Sequence, residues 1–167
     1  MGADEHRKTA LKRVVCAVIT VSDTRTEQDD ASGKEIMKIL EKHGHSTKLY
    51  DIVKDDIAKI KEVMRQCIED DDVQAIIFNG GTGVTRRDNT IEALREFAEK
   101  ELSGFGELFR MLSYQEIGAA AMLSRAFSFV TEKKAVFALP GSTAAVRLAM
   151  DKLIAPELGH VLSEANR

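Results

Sequence analysis

The sequence has no tryptophan, two tyrosines and seven phenylalanines, so aromatics make up only 5% of its 167 residues. Single-stranded nucleic acid is held by stacking bases on aromatic side chains, and so sparse a set gives that little support. A basic surplus is lacking too: 24 Lys and Arg stand against 27 Asp and Glu, a net charge of −3. Neutralising a nucleic-acid backbone needs an excess of Lys and Arg, so no nucleic-acid partner is expected. One phosphorylated small molecule held by a local site stays open. No apolar run approaches the ~20 residues of a membrane span, and residues 1–12 mix both charge signs without the apolar stretch of a secretory signal. A cytoplasmic protein with no membrane partner is the expectation. Cysteine is scarce. Cys16 lies in an apolar run and Cys67 at helical spacing, and neither has a context for a metal or an activated thiol, so both read as free buried thiols. His6, His43, His45 and His160 show no metal-ligand spacing.

What is present is the composition of a folded domain, with 44% hydrophobic and 31% charged residues. The length fits one domain: a mobile N-terminal arm over 1–12 and a single domain over 13–167. Arg13 to Val21 (RVVCAVITV) is β-branched and almost all apolar, the pattern of a strand buried on both faces. Ser32 and Glu35 have capping-box spacing, and Ile36, Ile39, Leu40 and His43 then follow a helical period. Ser46 to Val53 reads as a second strand, and Asp56 caps a helix carrying Ile57, Ile60, Met64, Cys67 and Ile68. Val73 to Phe78 is a third strand. A helix is expected from about Asn89 to Ala98, a strand over Ala135–Leu139, and a last helix opened by Pro156. Strands alternating with helices predict a mostly parallel sheet covered on both faces, a three-layer αβα sandwich of Rossmann-like type. The stretch from Lys100 to Lys134 breaks the alternation. It is expected to hold short helices and an extended piece that cover a cleft or build a subunit interface.

In such sheets ligands bind beyond the carboxyl ends of the strands, and here those ends carry polar chemistry. Gly80-Gly81-Thr82-Gly83 follows the third strand. Glycines let backbone amides approach an anion closely, and a following helix N-terminus adds to the attraction. The spacing matches neither the Walker A loop nor the dinucleotide fingerprint, and the four residues alone fit a plain tight turn about as well. Leu139-Pro140-Gly141-Ser142 ends another strand, where Ser142 suits a helix cap or a phosphate contact. Ser22 and Asp23 end the first strand, with hydrogen bonding inside their own loop the competing role. Asp55 follows the second strand and Asp88 the glycine turn. Two carboxylates facing one cleft beside a phosphate site are what Mg²⁺ needs, although Asp55 alone fits an ordinary helix start.

Together these residues resemble the molybdopterin-binding family of molybdenum cofactor biosynthesis, the MoaB/MogA proteins. The resemblance runs from about Arg13 to the C-terminus. It rests on TVSD (Thr20–Asp23), VKD (Val53–Asp55), GGTGVTRRDNT (Gly80–Thr90), GFGELFRMLSYQEIG (Gly104–Gly118), LSRA (Leu123–Ala126) and LPGS (Leu139–Ser142). A generic nucleotide-binding domain of another pathway would need this ordered set to arise by coincidence. The GFGELFR segment looks like the MoaB branch. The resemblance implies a trimer or hexamer that binds molybdopterin and works alongside other molybdenum cofactor enzymes. Active members transfer AMP from Mg-ATP to the terminal phosphate of molybdopterin, a molybdopterin adenylyltransferase reaction. Asp55 and Asp88 match the family's essential aspartates and would hold Mg²⁺. Substrate and phosphate contacts are implied at Ser22, Asp23, Gly80, Gly81, Thr82, Gly83, Arg87, Ser124, Arg125, Pro140, Gly141 and Ser142. The family's loop often has proline where this chain has Arg86, a change expected to loosen the loop that aims Asp88. The alternative function is a non-catalytic molybdopterin carrier or oligomeric scaffold of the same pathway.

Overall fold

The apolar run that follows Arg13 becomes the middle of the sheet. Its residues Val15–Val21 form β1, buried from Cys16 onward. A strand with helices on both faces favours an apolar side chain at every position, so the run does not alternate. The computed structural model describes residues 10–167 of the chain. After β1 come α1 (Ala31–Lys42), β2 (Ser46–Val53), α2 (Ile57–Glu69), β3 (Ala75–Asn79) and the short α3 (Thr90–Leu94). They are followed by β4 (Lys100–Glu101), α4 (Ser103–Ile117), β5 (Phe127–Thr131), β6 (Lys134–Leu139), α5 (Thr143–Ala149) and α6 (Ala155–Ala165).

The six strands lie in the order β2-β1-β3-β6-β5-β4. The first four in that order are parallel, and β5 and β4 extend the sheet antiparallel beyond β6. Side chains of β1 divide between two cores. Cys16 and Val18 join Ile36, Leu40, Phe109 and Leu158 on one face, while Ala17 and Ile19 join Ile60, Met64, Phe78 and Leu94 on the other. Each fully buried Ile, Leu, Val, Met or Phe among them contributes about 1.5–3 kcal/mol, and the two layers enclose the sheet as the expected αβα sandwich. Both cysteines are free and buried, and burial pushes each thiol up to about 12.

Several local expectations change. Helix α1 is capped by Asp30, whose Oδ1 accepts from Gly33 N at 3.1 Å, and not by Ser32. Ser32 and Glu35 have tertiary partners instead: Ser32 Oγ donates to Gly141 O at 2.6 Å, and Glu35 accepts from Arg147 Nε at 2.7 Å. The helix expected to reach Ala98 ends at Leu94 and tightens into a 3₁₀ turn over Arg95–Phe97. The 100–134 stretch holds one helix of 15 residues, a 3₁₀ turn over Gly118–Leu123, and the strands β4 and β5. The β5–β6 hairpin turns through Glu132 (φ 45°) and Lys133 (φ 62°). Such two-residue turns ordinarily take Asn or Gly, so the turn that pairs β5 with β6 carries no compositional cue. Residues 1–9 of the expected arm lie outside the described residues. Leu11 packs on α6, its amide donating to Gly159 O at 3.4 Å and Ser163 Oγ at 3.2 Å. Among the described residues no helix is long and apolar enough to cross a membrane.

Candidate functional site

Because β2, β1, β3 and β6 are parallel, the loops leaving them meet at one edge of the sheet. The glycine turn leaves β3 in the left-handed region, with φ +95° at Gly80 and +65° at Gly81. A Cβ on Gly80 would lie 2.3 Å from Val21 O, and one on Gly141 would lie 3.1 Å from Gly80 Cα. The turns after β3 and β6 therefore abut closely, which only residues without side chains permit. Thr90 closes the base of the loop: its Oγ1 donates to Gly80 O at 2.8 Å and its amide to Gly81 O at 3.0 Å. Helix α3 thus begins well beyond Gly83 and aims its first amide at the turn's own carbonyl. The first amide of α3 is committed to the turn, whereas the sequence predicts the loop amides and that helix N-terminus acting together.

A cavity of about 370 Å³ opens in front of these turns. Gly80, Gly81, Thr82, Gly83, Asp88 and Ser124 line one part of it, and Pro140, Gly141 and Ser142 another. The remaining wall comes from α4 and the following turn: Phe109, Ser113, Ile117, Ala121 and Leu123. The cavity is thus lined both by glycine-turn backbone with Asp88 and by apolar side chains of α4 and the turn after it. Ser142 Oγ caps α5, accepting from Ala145 N at 3.2 Å, while the residue also lines the cavity.

The two aspartates occupy different environments. Asp55 Oδ1 accepts from Asn89 N at 2.9 Å, and its Oδ2 lies where a Cβ on Gly81 would have to go. Burial raises its pKa, with repulsion from Asp88 and Asp23 adding to that and hydrogen bonds from Asn89 opposing it. Asp88 Oδ2 accepts from Thr85 N at 2.8 Å and Thr85 Oγ1 at 2.6 Å. Burial acts to raise Asp88 as well, but the bonds from Thr85 and the Gly83 amide, with Arg125 nearby, outweigh it and leave the carboxyl below its usual range. Thr85 thus tethers Asp88 beside Arg86, where the family's proline is missing.

The other expected residues divide. Ser22 Oγ accepts from Thr24 N at 3.3 Å and Arg25 N at 3.2 Å, so the hydroxyl serves its own loop. Arg87 pairs with Asp23 at the exposed rim, and Asp23 Oδ1 accepts from Asp55 N at 3.3 Å. The guanidinium of Arg125 is engaged by Gly83 O, Asp88 O and the Glu92 carboxylate. Ser124 lines the cavity, its Oγ accepting from Ala126 N at 3.4 Å.

Sequence reasoning missed Arg25, Asp30 and Asn89. Arg25 Nη2 donates to Gly141 O at 2.9 Å and its Nη1 lies 3.4 Å from Asp30 Oδ1. Asp30 is fully buried and also accepts from Thr20 Oγ1 at 2.6 Å and Tyr50 OH at 2.7 Å. The only available signal was Asp30 standing just ahead of a helical period, and that gives a cap without its tertiary partners.

The donor set suits Mg²⁺. Asp55 is a carboxylate crowded by two others, a strain that a divalent cation relieves. Among the described residues no group of three or more His, Cys, Asp or Glu could hold a metal. A pair of carboxylates is nonetheless enough for an ion that keeps waters and takes substrate phosphates as ligands.

The fold and site define an open α/β domain with two glycine-containing turns meeting over a cavity at the carboxyl edge of its sheet. The profile of the family described as "Probable molybdopterin binding domain" matches residues 17–160, and the chain belongs to that family. A Bacillus cereus relative, Molybdenum cofactor biosynthesis protein B, is 50% identical over 168 residues, covering 100% of this chain and 99% of its own. A crystal structure of a Molybdenum cofactor biosynthesis protein B superposes with a TM-score of 0.91 at 51% identity, over 95% of this chain and 99% of that one. The tungsten cofactor synthesizing protein MoaB from Pyrococcus furiosus gives a TM-score of 0.86 at 38% identity, over 95% of this chain and 100% of its own.

Proposed function

We propose that the chain acts in molybdenum cofactor biosynthesis, binding molybdopterin and transferring AMP from Mg-ATP to its terminal phosphate. The observation that carries this is the convergence of both glycine turns and Asp88 on one cavity, with the Asp55 carboxylate packed against Gly81 of the same turn. An oxygen of the pterin phosphate attacks the α-phosphorus of ATP, the bond from that phosphorus to the bridging oxygen breaks, and pyrophosphate leaves with the electron pair. The attacking group is already an anion, so no general base is required. The protein's task is to align two polyanions and offset their repulsion. Amides of the 80–83 turn and the Ser142 cap hold phosphate, and the apolar wall from α4 packs the pterin. Asp55 and Asp88 would hold Mg²⁺, which supplies charge neutralisation for the transferring phosphoryl group. Purified protein mixed with molybdopterin, Mg²⁺ and labelled ATP tests the reading. Pyrophosphate release supports it, and tight pterin binding with no release shows a non-catalytic carrier.

Asp55 bears on stability as well. Its folded-state pKa is raised, so the folded state holds that proton more firmly than the unfolded chain, and stability falls as pH climbs past the unfolded value of about 4. Asp55→Asn removes the penalty while its side-chain oxygen can still accept from Asn89 N. The metal-free variant is expected to melt higher than the wild type at pH 7 and no higher at pH 3.5. Mg²⁺ should stabilise only the wild type. Thermal melts at both pH values with and without Mg²⁺ check this, and a lower melting point for the variant at pH 7 contradicts it.

The same proposal includes self-association. Leu108, Met111, Tyr114, Ile117, Met122 and Leu123 are exposed along α4 and the 3₁₀ turn, and apolar surface gathered in this way marks an interaction face. Light scattering is expected to show a trimer or hexamer, and a strict monomer at micromolar concentration overturns the assignment.

A further inference from the structure

We infer that Arg125 and Glu92 form a clasp that fixes the Asp88 loop, which makes them positioning residues for the transfer reaction proposed above, on whose site this inference rests. By residue type, Arg125 near a phosphate turn suggests a phosphate ligand. The geometry assigns its donors elsewhere. Nε donates to Gly83 O at 2.7 Å and Nη2 to Asp88 O at 3.2 Å. Both terminal nitrogens also reach the Glu92 carboxylate, Nη2 lying 3.2 Å from Oε2. One rigid fork therefore captures the carbonyls at both ends of the 83–88 loop, a task suited to a planar guanidinium and not to a lysine ammonium.

Glu92 lies in the first turn of α3, and Arg125 reaches in from the segment before β5, 33 residues further along the chain. The carboxyl of Glu92 is held below its usual range chiefly by the hydrogen bond from Arg125, opposed by its own desolvation. The loop, the helix and the distant segment are tied through this one side chain. Thr85 holds the Asp88 carboxylate inside the loop; Arg125 holds the loop on the protein. Arg25 does the corresponding work at the other turn, donating to Gly141 O with Asp30 behind it. The two arginines thus brace different halves of the site. The 140–142 turn only binds, whereas the 83–88 loop also aims Asp88.

The test compares Arg125→Lys, Glu92→Gln and Arg25→Lys in the full chain. The readouts are turnover, molybdopterin affinity, Mn²⁺ affinity measured with the metal alone, and amide exchange over 83–90. Arg125→Lys is expected to lower kcat and weaken Mn²⁺ binding by about 10- to 100-fold, as losing a supporting partner of a metal ligand does. Its molybdopterin affinity should fall by less than its kcat, and exchange over 83–90 should quicken. Glu92→Gln should move the same readouts in the same direction, and the double variant should be little worse than Arg125→Lys alone, as expected of two residues acting as one unit. Arg25→Lys should weaken molybdopterin binding more than it lowers kcat. Equal losses of molybdopterin affinity and kcat in Arg125→Lys make Arg125 a substrate contact and overturn the clasp. If the wild type releases no pyrophosphate, the transfer reading fails while the clasp is still judged. Unchanged exchange over 83–90 and unchanged Mn²⁺ affinity in Arg125→Lys then overturn it.

Discussion

Asp88→Asn is expected to lower AMP transfer by about 100- to 1,000-fold, the effect of deleting one preorganised charge from a transfer site, while molybdopterin binding survives. The substitution is close to isosteric. Its side-chain oxygen can still accept from Thr85 N and Thr85 Oγ1, now 2.8 and 2.6 Å from Asp88 Oδ2, so the loop keeps its shape. What disappears is a full negative charge at a position where the carboxyl is held below its usual range and is ionised throughout the neutral region. The cavity wall from α4 and the 140–142 turn is untouched, so the contacts proposed for the pterin are unchanged. Pyrophosphate release and a binding titration on the same preparation separate the two effects. A fully active variant removes any metal-holding role for Asp88.

The parts of the fold that can be read from the chain are those where one residue's choice is local. The β1 run is apolar because both faces are covered, and Asp56 caps α2 through Lys59 N at 3.1 Å, as its place before a helical period suggests. The β5–β6 hairpin is illegible for the opposite reason. Its turn sets Glu132 and Lys133 in the left-handed region, where neither residue type is informative. The site divides in the same way. Gly80, Gly81, Asp55 and Asp88 announce themselves as glycines and carboxylates in loops after strands, and the family resemblance gives the two carboxylates their expected role. The residues that hold these in place do not. Arg25 and Arg125 bind backbone carbonyls of segments more than forty residues away, at Gly141 and Gly83. A carbonyl is present at every position, so such a partner leaves no trace in sequence. Arg125, expected as a substrate contact, has its guanidinium engaged by Gly83 O, Asp88 O and the Glu92 carboxylate.

Gly81, next to the equally constrained Gly80, is where the turn touches both Thr90 and the Asp55 carboxylate. Gly81→Ala is expected to weaken molybdopterin binding at least about 100-fold and to destabilise the fold by roughly 1–3 kcal/mol, the usual cost of a non-glycine residue forced into a sparsely populated conformation. Gly81 has φ +65°, and a Cβ there would lie 2.4 Å from Thr90 Oγ1 and 2.5 Å from Asp55 Oδ2. Neither neighbour can yield cheaply. Thr90 Oγ1 is bonded to Gly80 O, and Asp55 is tied through its other oxygen to Asn89 N. Relieving the clash moves the base of the loop, the first carboxylate, or both. Gly104→Ala is the matched control: it lies in the first turn of α4 with nothing within 4 Å of an added Cβ. Replacing a helical glycine that has room for a methyl gains about 0.4–1 kcal/mol, so this variant should melt slightly higher and bind normally. Denaturant titrations and molybdopterin binding on the pair decide the matter. Normal binding by Gly81→Ala would show that the 80–83 turn does not hold the phosphate. Loss of binding in Gly81→Ala, with Gly104→Ala unaffected, ties binding to the turn's backbone and not to glycine content at large.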